Sequence, residues 1–195
     1  MTTDNTDRSV LILGRSQLVI DDAVAGLRDL GYTAQATNDF ADITGRYDVE
    51  HIDMVVFGGQ VPPAREAELK QQIRTINPQS IFVQGLAGIP GLIVNLAQGA
   101  FTAEHRDPTH APTYTPDERT IRLTLAEPHD VKVTLWWTTA MVPPDPKSDS
   151  LLLLDDRVAA GDHTIPIPDH IPPKRAYATV QVDQAIYNFS IATEQ

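Results

Sequence analysis

The stretch Ile52–Pro63, which reads IDMVVFGGQVPP, decides the fold of the first half of the chain. Its apolar run Met54–Phe57 stops at Gly58 and Gly59, and a polar pattern with helical spacing begins at Pro63. A short apolar run that ends in glycine and leads directly into a helix is typical of a buried parallel strand. Because open α/β sheets bind ligands at the carboxyl ends of their strands, the Gly-Gly exit marks the place of a candidate site.

The residues on both sides of this strand continue an alternation of strands and helices. Short connections between them predict a three-layer α/β domain with a parallel sheet over residues 9–101, preceded by a flexible N-terminus at residues 1–8. Residues 88–100 fit either a helix or a fifth strand, and we favour the helix. The other predicted elements are a strand at Val10–Gly14, a helix from Ser16 to Gly31, a strand at Tyr32–Thr37, a short helix or loop at Phe40–Tyr47, a helix at Pro63–Ile76 and a strand at Ser80–Val83.

This order of elements resembles flavodoxin-like domains and the receiver domains of response regulators. Receivers carry an acidic pair after the first strand, a phosphorylated aspartate at the end of the third, Ser or Thr after the fourth and Lys after the fifth. The matching places here read Gly14-Arg15-Ser16, then Gly58, then Gln84-Gly85, and the lysine is missing. The resemblance therefore implies a degenerate receiver, or pseudo-receiver, without phosphotransfer.

The same residues also resemble the start of a Rossmann-like nucleotide-binding domain. LILGRS at 11–16 leads into a helix, and Asp39 follows the second strand, where such folds place an acid on the ribose. The fingerprint G-x-G-x-x-G is incomplete, since Gly14 is its only glycine. NAD(P) or another nucleotide is therefore the alternative ligand, and the favoured expectation is no cofactor.

The predicted strand ends bring a set of polar residues and glycines together. The Arg15 guanidinium offers a fork to a carboxylate or phosphate beside a helix N-terminus, and Gly58 and Gly59 permit close approach of a ligand or another backbone. The alternative is that these residues cap helices and line a dry interface. The candidate ligand-binding residues are Gly14, Arg15, Ser16, Asp39, Gly58, Gly59, Gln60 and Gln84.

The second half changes to a period of two. Residues 102–118 contain three prolines and few apolar residues, and they read as a linker. Short alternating runs then follow, bounded by turn residues, and Asp183-Gln184 predicts a tight turn between the last two. They predict an antiparallel β-sandwich of six or seven strands over residues 119–193, which resembles immunoglobulin-like and fibronectin-type domains in pattern.

The pair Trp136-Trp137 lies on one of these strands, where consecutive side chains point to opposite faces. Trp137 shares its parity with Val131, Val133 and Leu135, which predicts a place in the core. Trp136 then lies on the other face, where we expect a neighbouring domain or a second subunit to cover it. A partner-binding residue and a sugar-stacking platform are the alternatives.

Composition excludes several classes of function. The formal net charge is −11 without any block of basic residues, so nucleic acid and anionic membranes are not expected partners. The polar start MTTDNTDRS lacks the form of a signal peptide, which favours the cytoplasm. The chain has no cysteine, no H-x-x-x-H or H-E-x-x-H spacing among its six histidines and no G-x-S-x-G motif. We therefore expect neither a metal site nor catalytic residues.

Together these observations favour a non-catalytic binding or interaction protein, as a homodimer, built on a degenerate α/β domain. The alternative is a nucleotide-dependent enzyme with its cofactor at the strand ends.

Overall fold

A computed structural model describes residues 7–85, 88–140 and 145–191 of the chain. Most of the predicted flexible N-terminus, residues 1–6, lies outside the described residues. The chain forms two compact units. Unit 1 comprises Met1–Ala97 and Met141–Lys147, and unit 2 comprises Gln98–Ala140 and Ser148–Gln195.

Unit 1 is an α/β unit with a four-stranded parallel sheet in the order β2-β1-β3-β4. This confirms the predicted fold class, and the helix favoured at residues 88–100 is present as α4. The last residues of α4 are counted with unit 2. The elements are β1 Ser9–Leu13, α1 Gln17–Asp29, β2 Thr33–Thr37, α2 Ile43–Arg46, β3 Met54–Phe57, α3 Pro63–Ile76, β4 Ile81–Gln84 and α4 Pro90–Phe101.

Strand β3 is buried on both of its faces, as its continuous apolar run predicts. Val55 and Phe57 pack in a cluster with Leu69 and Ile73 of α3. A Cβ on Gly26 of α1 would lie 3.0 Å from the side chain of Val94 on α4, so these two helices pack against each other. The sheet therefore lies between helical layers.

Helix α1 begins where its sequence predicts. The side chain of Ser16 accepts a hydrogen bond from the backbone N–H of Val19, which is the usual N-cap bond. Gly31 follows the helix with φ 88°, the left-handed conformation that a glycine adopts without a steric penalty.

Unit 2 is all-β, with seven strands among the described residues. Strands β11-β10-β7-β8 form one sheet and β5-β6-β9 form the other. The pairs β10–β11, β7–β10, β5–β6 and β6–β9 are antiparallel. The elements are β5 Thr113–Thr115, β6 Thr120–Leu125, β7 His129–Ala140, β8 Lys147–Val158, β9 Gly161–Pro166, β10 Ala176–Val182 and β11 Ala185–Ser190.

Alternating residues of both sheets form the core of unit 2, and Trp137 packs against this core as predicted. Trp136 lies on the opposite face, where its indole N–H donates to Thr179 Oγ1 at 2.9 Å. The hydroxyl of Thr179 donates in turn to Asn188 Oδ1 at 2.7 Å. The indole N–H is thus satisfied within its own sheet.

The segment 102–118, predicted as a linker, contains two 3-10 turns at Ala103–His105 and Pro108–His110 as well as strand β5. Asp183 and Gln184 form the predicted tight turn between β10 and β11. Asp183 has φ 50°, and Val182 pairs directly with Ala185. Asp tolerates this left-handed conformation better than most residues do.

Candidate functional site

The candidate site lies at the carboxyl ends of β1 and β3 in unit 1. Strand β1 pairs with β2 on one side and with β3 on the other, so the order of the strands reverses between β1 and β3. The loops that follow such a pair leave in opposite directions and open a crevice between them.

Glycines end three neighbouring strands of this sheet and extend its hydrogen bonding by one residue. The N–H of Gly14 donates to Thr37 O, that of Gly58 to Leu13 O, and that of Gly85 to Phe57 O. A Cβ on Gly58 would lie 3.2 Å from both the Cα of Gly14 and the carbonyl of Leu13. The close approach predicted for Gly58 is therefore made by the protein backbone of the adjacent strand.

A cavity of about 170 Å³ lies above these strand ends. Six of the eight sequence-predicted residues line it, three from the exit of β1 and three from the exit of β3. The lining residues are Ile12, Gly14, Arg15, Ser16, Val19, Ile20, Gly58, Gly59, Gln60, Gly85, Gly88, Ile93 and Pro146.

Arg15 is held at the wall of the cavity by a hydrogen bond across the two strand exits. Its Nε donates to the backbone carbonyl of Gln60 at 3.0 Å. Among the described residues no other hydrogen-bond partner reaches its guanidinium, so both Nη groups keep their donors. Arg15 is also the one charged residue in the described lining of the cavity.

The N-terminus of α1 faces a carboxylate that sequence reasoning missed. The Ser16 hydroxyl donates to Asp145 Oδ1 at 2.6 Å, and the next residue, Pro146, is part of the cavity wall. A Cβ on Gly88 would lie 2.7 Å from the ring of Pro146, and Gly88 has φ 62°. An acidic group at a helix N-terminus is favoured by the helix dipole, so Asp145 occupies the position that an anionic ligand would take.

The two remaining predicted residues, Asp39 and Gln84, do not line the cavity. Asp39 accepts from the N–H of Ala41 at 3.0 Å and pairs with Arg46 at 2.6 Å. The hydrogen bond from Ala41, together with Arg46, lowers the pKa of this exposed carboxyl. Gln84 donates its side-chain amide to the carbonyl of Phe57 at 3.2 Å. Both side chains therefore make local structural bonds.

Unit 2 carries a separate polar cavity of about 340 Å³, lined in part by His129, Asp183 and Tyr187. His129 Nδ1 lies 2.7 Å from Asp183 Oδ2, although its sequence neighbour is Asp130. Partial burial acts to raise the pKa of Asp183. The hydrogen bonds from His129 and from the N–H of Asp130 outweigh that effect, and the pKa is lowered.

One cluster of potential metal ligands occurs among the described residues. Asp48, Glu50 and His51 place ligand atoms within 4.8 Å of one another, and all three residues are exposed. His51 already pairs with Asp48 at 2.9 Å, which raises the pKa of the imidazole through the hydrogen bond and charge of Asp48.

Comparison with known proteins places the chain in no family, since neither a family model nor a curated protein matches it. Among solved structures, a de novo designed protein with a Rossmann 2x3 fold is similar over 53% of this chain and 95% of that chain, with 18% identity and a TM-score of 0.36. The macrocyclase MdnB from Microcystis aeruginosa MRC is similar over 96% of this chain and 91% of that chain, with 13% identity and a TM-score of 0.30. At these scores neither similarity bears on function.

The strand order of the sheet in unit 1 and the parallel direction of its strands define the class of protein: a Rossmann-like α/β unit in one chain with an all-β unit. Within the described ranges, no helix combines the length and the apolar character that a membrane span requires.

Proposed function

We propose that this is a non-catalytic binding protein that holds a small molecule in the strand-end cavity of unit 1. The observation that carries the proposal is the lining of that cavity. Glycines and apolar side chains dominate it, and the single charged group among the described lining residues is a guanidinium. Arginine stays protonated at physiological pH, so the described lining offers binding contacts and lacks a proton-transfer pair.

The dimensions of the cavity favour this proposal over a nucleotide-dependent enzyme. Pockets that enclose cofactors and drug-sized ligands usually measure roughly 300–1,000 Å³, whereas this cavity measures about 170 Å³. Asp39, the residue expected to bind a ribose, lies outside the lining and pairs with Arg46. The N-terminus of α1, where a pyrophosphate would bind, faces the carboxylate of Asp145.

The strand order β2-β1-β3-β4 supports a flavodoxin-like grouping for unit 1 and, with Gly58 at the end of β3, a pseudo-receiver. The immunoglobulin-like character of unit 2, the homodimer with Trp136 at its interface and the cytoplasmic location stay predictions. Light scattering of wild type beside Trp136→Ala tests the dimer, because a wild-type monomer at micromolar concentration contradicts it.

A thermal-shift screen of single-ring compounds and nucleotides tests the proposal, with two variants of α1. Val19→Phe places an aromatic ring in the cavity wall at a position that is 6% exposed. Leu18→Phe makes a similar change one residue earlier, at a position that is 58% exposed. Ligands should raise the melting temperature of wild type and Leu18→Phe, because binding to the native state stabilises it, and they should leave Val19→Phe unchanged.

Two results would overturn the proposal. One is a flat screen at millimolar concentration, and the other is a ligand whose shift persists in a folded Val19→Phe protein. A melting temperature raised by NAD(P) would instead support the alternative function.

A further inference from the structure

The strand-end cavity has the dimensions of one small ring. An engineered protein cavity of about 150 Å³ with apolar walls stays dry and binds benzene, and this cavity of about 170 Å³ is close to that size. Five apolar side chains contribute to its wall, namely Ile12, Val19, Ile20, Ile93 and Pro146. The body of a fitting ligand is therefore compact and apolar.

The polar groups of the lining differ in what they leave available to a ligand. Ser16 accepts from the N–H of Val19 and donates to Asp145, so its hydroxyl is already engaged on both sides. The carbonyl of Gln60 accepts from Arg15 Nε. The Nη groups of Arg15 keep their donors among the described residues, in the planar fork that matches a carboxylate.

From these two observations, and resting on the proposed function above, we propose that the ligand is a compact apolar monocarboxylate. Its hydrocarbon body fills the cavity between α1 and the strand ends, and its carboxylate accepts hydrogen bonds from the Nη groups of Arg15. The bond from Nε to Gln60 orients the guanidinium at the cavity wall before a ligand arrives, which reduces the entropy lost on binding.

The position of Asp145 makes the site selective among anions. Its carboxylate already lies at the N-terminus of α1 on the hydroxyl of Ser16, so a phosphate that needs the helix end meets a like charge. A monocarboxylate needs one fork of donors, which Arg15 supplies. A ligand with several negative groups is disfavoured for the same reason.

Titration with benzoate, cyclohexanecarboxylate, benzamide, acetate and inorganic phosphate tests the proposal, with ¹H–¹⁵N NMR as the readout. The amide signals of glycine form a distinct group in such spectra, and five of the eleven glycines line the cavity. Binding should shift those five signals, which belong to Gly14, Gly58, Gly59, Gly85 and Gly88. Benzoate has a planar ring and cyclohexanecarboxylate a saturated one, so their comparison shows which shape the cavity binds better. Binding of either carboxylate supports the proposal.

Benzoate should bind about tenfold more tightly than benzamide, its neutral analogue, because a charge-assisted pair with arginine contributes on the order of a factor of ten. Acetate lacks the apolar body and phosphate lacks both features, so both should bind more weakly than benzoate. Arg15→Gln should remove the preference by lowering the affinity for benzoate to about that for benzamide. Arg74→Gln, on the exposed surface of α3, removes the same charge from unit 1 outside the cavity and should preserve the preference.

The outcomes separate this inference from the function on which it rests. Equal affinity for benzamide and benzoate, or a preference that survives in Arg15→Gln, overturns the carboxylate assignment while the cavity remains a binding site. Phosphate binding as tight as that of benzoate also overturns it, because the site is then a plain anion site. If no ring compound shifts the glycine signals, both the inference and the proposed function fail.

Discussion

Replacing Gly58 by alanine tests the packing of the strand ends most directly. A Cβ at this position would lie 3.2 Å from the Cα of Gly14 and 3.2 Å from the carbonyl oxygen of Leu13. Both atoms belong to the backbone of the neighbouring strand, which the bond from Gly58 N–H to Leu13 O holds at 2.7 Å. The new methyl group must therefore push two paired strands apart by a few tenths of an ångström.

We expect Gly58→Ala to lower the free energy of unfolding of unit 1 by about 1–2 kcal/mol, within the range known for overpacking. Gly59→Ala is the matched control, since its Cβ would meet only the carbonyl of Gly85, at 3.6 Å, an ordinary contact. Neither glycine has a positive φ, so backbone strain does not separate the two variants. The control should be neutral, or more stable by up to about 1 kcal/mol, because alanine restricts the unfolded chain.

Urea unfolding followed by circular dichroism at the helical band measures this difference. Helices α1–α3 and most of α4 belong to unit 1, whereas unit 2 consists mainly of strands, so the helical signal reports on unit 1. The comparison requires equal denaturant slopes for both variants. If Gly58→Ala unfolds at the same urea concentration as Gly59→Ala, the backbone of Leu13 and Gly14 leaves room for a methyl group at position 58, and the reasoning is refuted.

Two further predictions concern hydrogen bonds at the ends of elements. Ser16→Ala removes the cap of α1 and the donor to Asp145, and it should cost about 1 kcal/mol of unit 1 stability in the same urea assay; an unchanged midpoint would contradict the capping role. Asp183→Asn keeps the left-handed turn but removes the charge that His129 and the N–H of Asp130 stabilise. A lowered pKa in the folded state contributes stability above the unfolded pKa, and this contribution is lost as the pH falls through the folded pKa. The free energy of unfolding of wild type should therefore exceed that of Asp183→Asn at neutral pH by about 1 kcal/mol or less, since the Asp183 side chain is half exposed. This difference should disappear in strong acid. A gap that stays constant with pH would show that the charge of Asp183 does not stabilise unit 2.

Most elements of this chain were predictable because they depend on local periodicity. The helix Pro63–Ile76 and the strand Met54–Phe57 lie at the residues that their patterns predict. The sequence also predicted that the exits of β1 and β3 lie side by side, since parallel strands end at the same edge of a sheet. For this reason Arg15 and Gln60 line one cavity although 45 positions separate them.

The sequence determined the strands, the helices and the two glycine-bounded exits, since each depends on residues a few positions apart. Only the tertiary structure decided which distant residues complete the surroundings of the strand-end cavity. The fold brings Asp145 to Ser16, a separation of 129 positions that no local pattern encodes. It likewise places Pro146 against Gly88 and leaves Asp39 on Arg46, away from the cavity. Side-chain packing between distant segments also sets the volume of the cavity above Gly14 and Gly58, about 170 Å³.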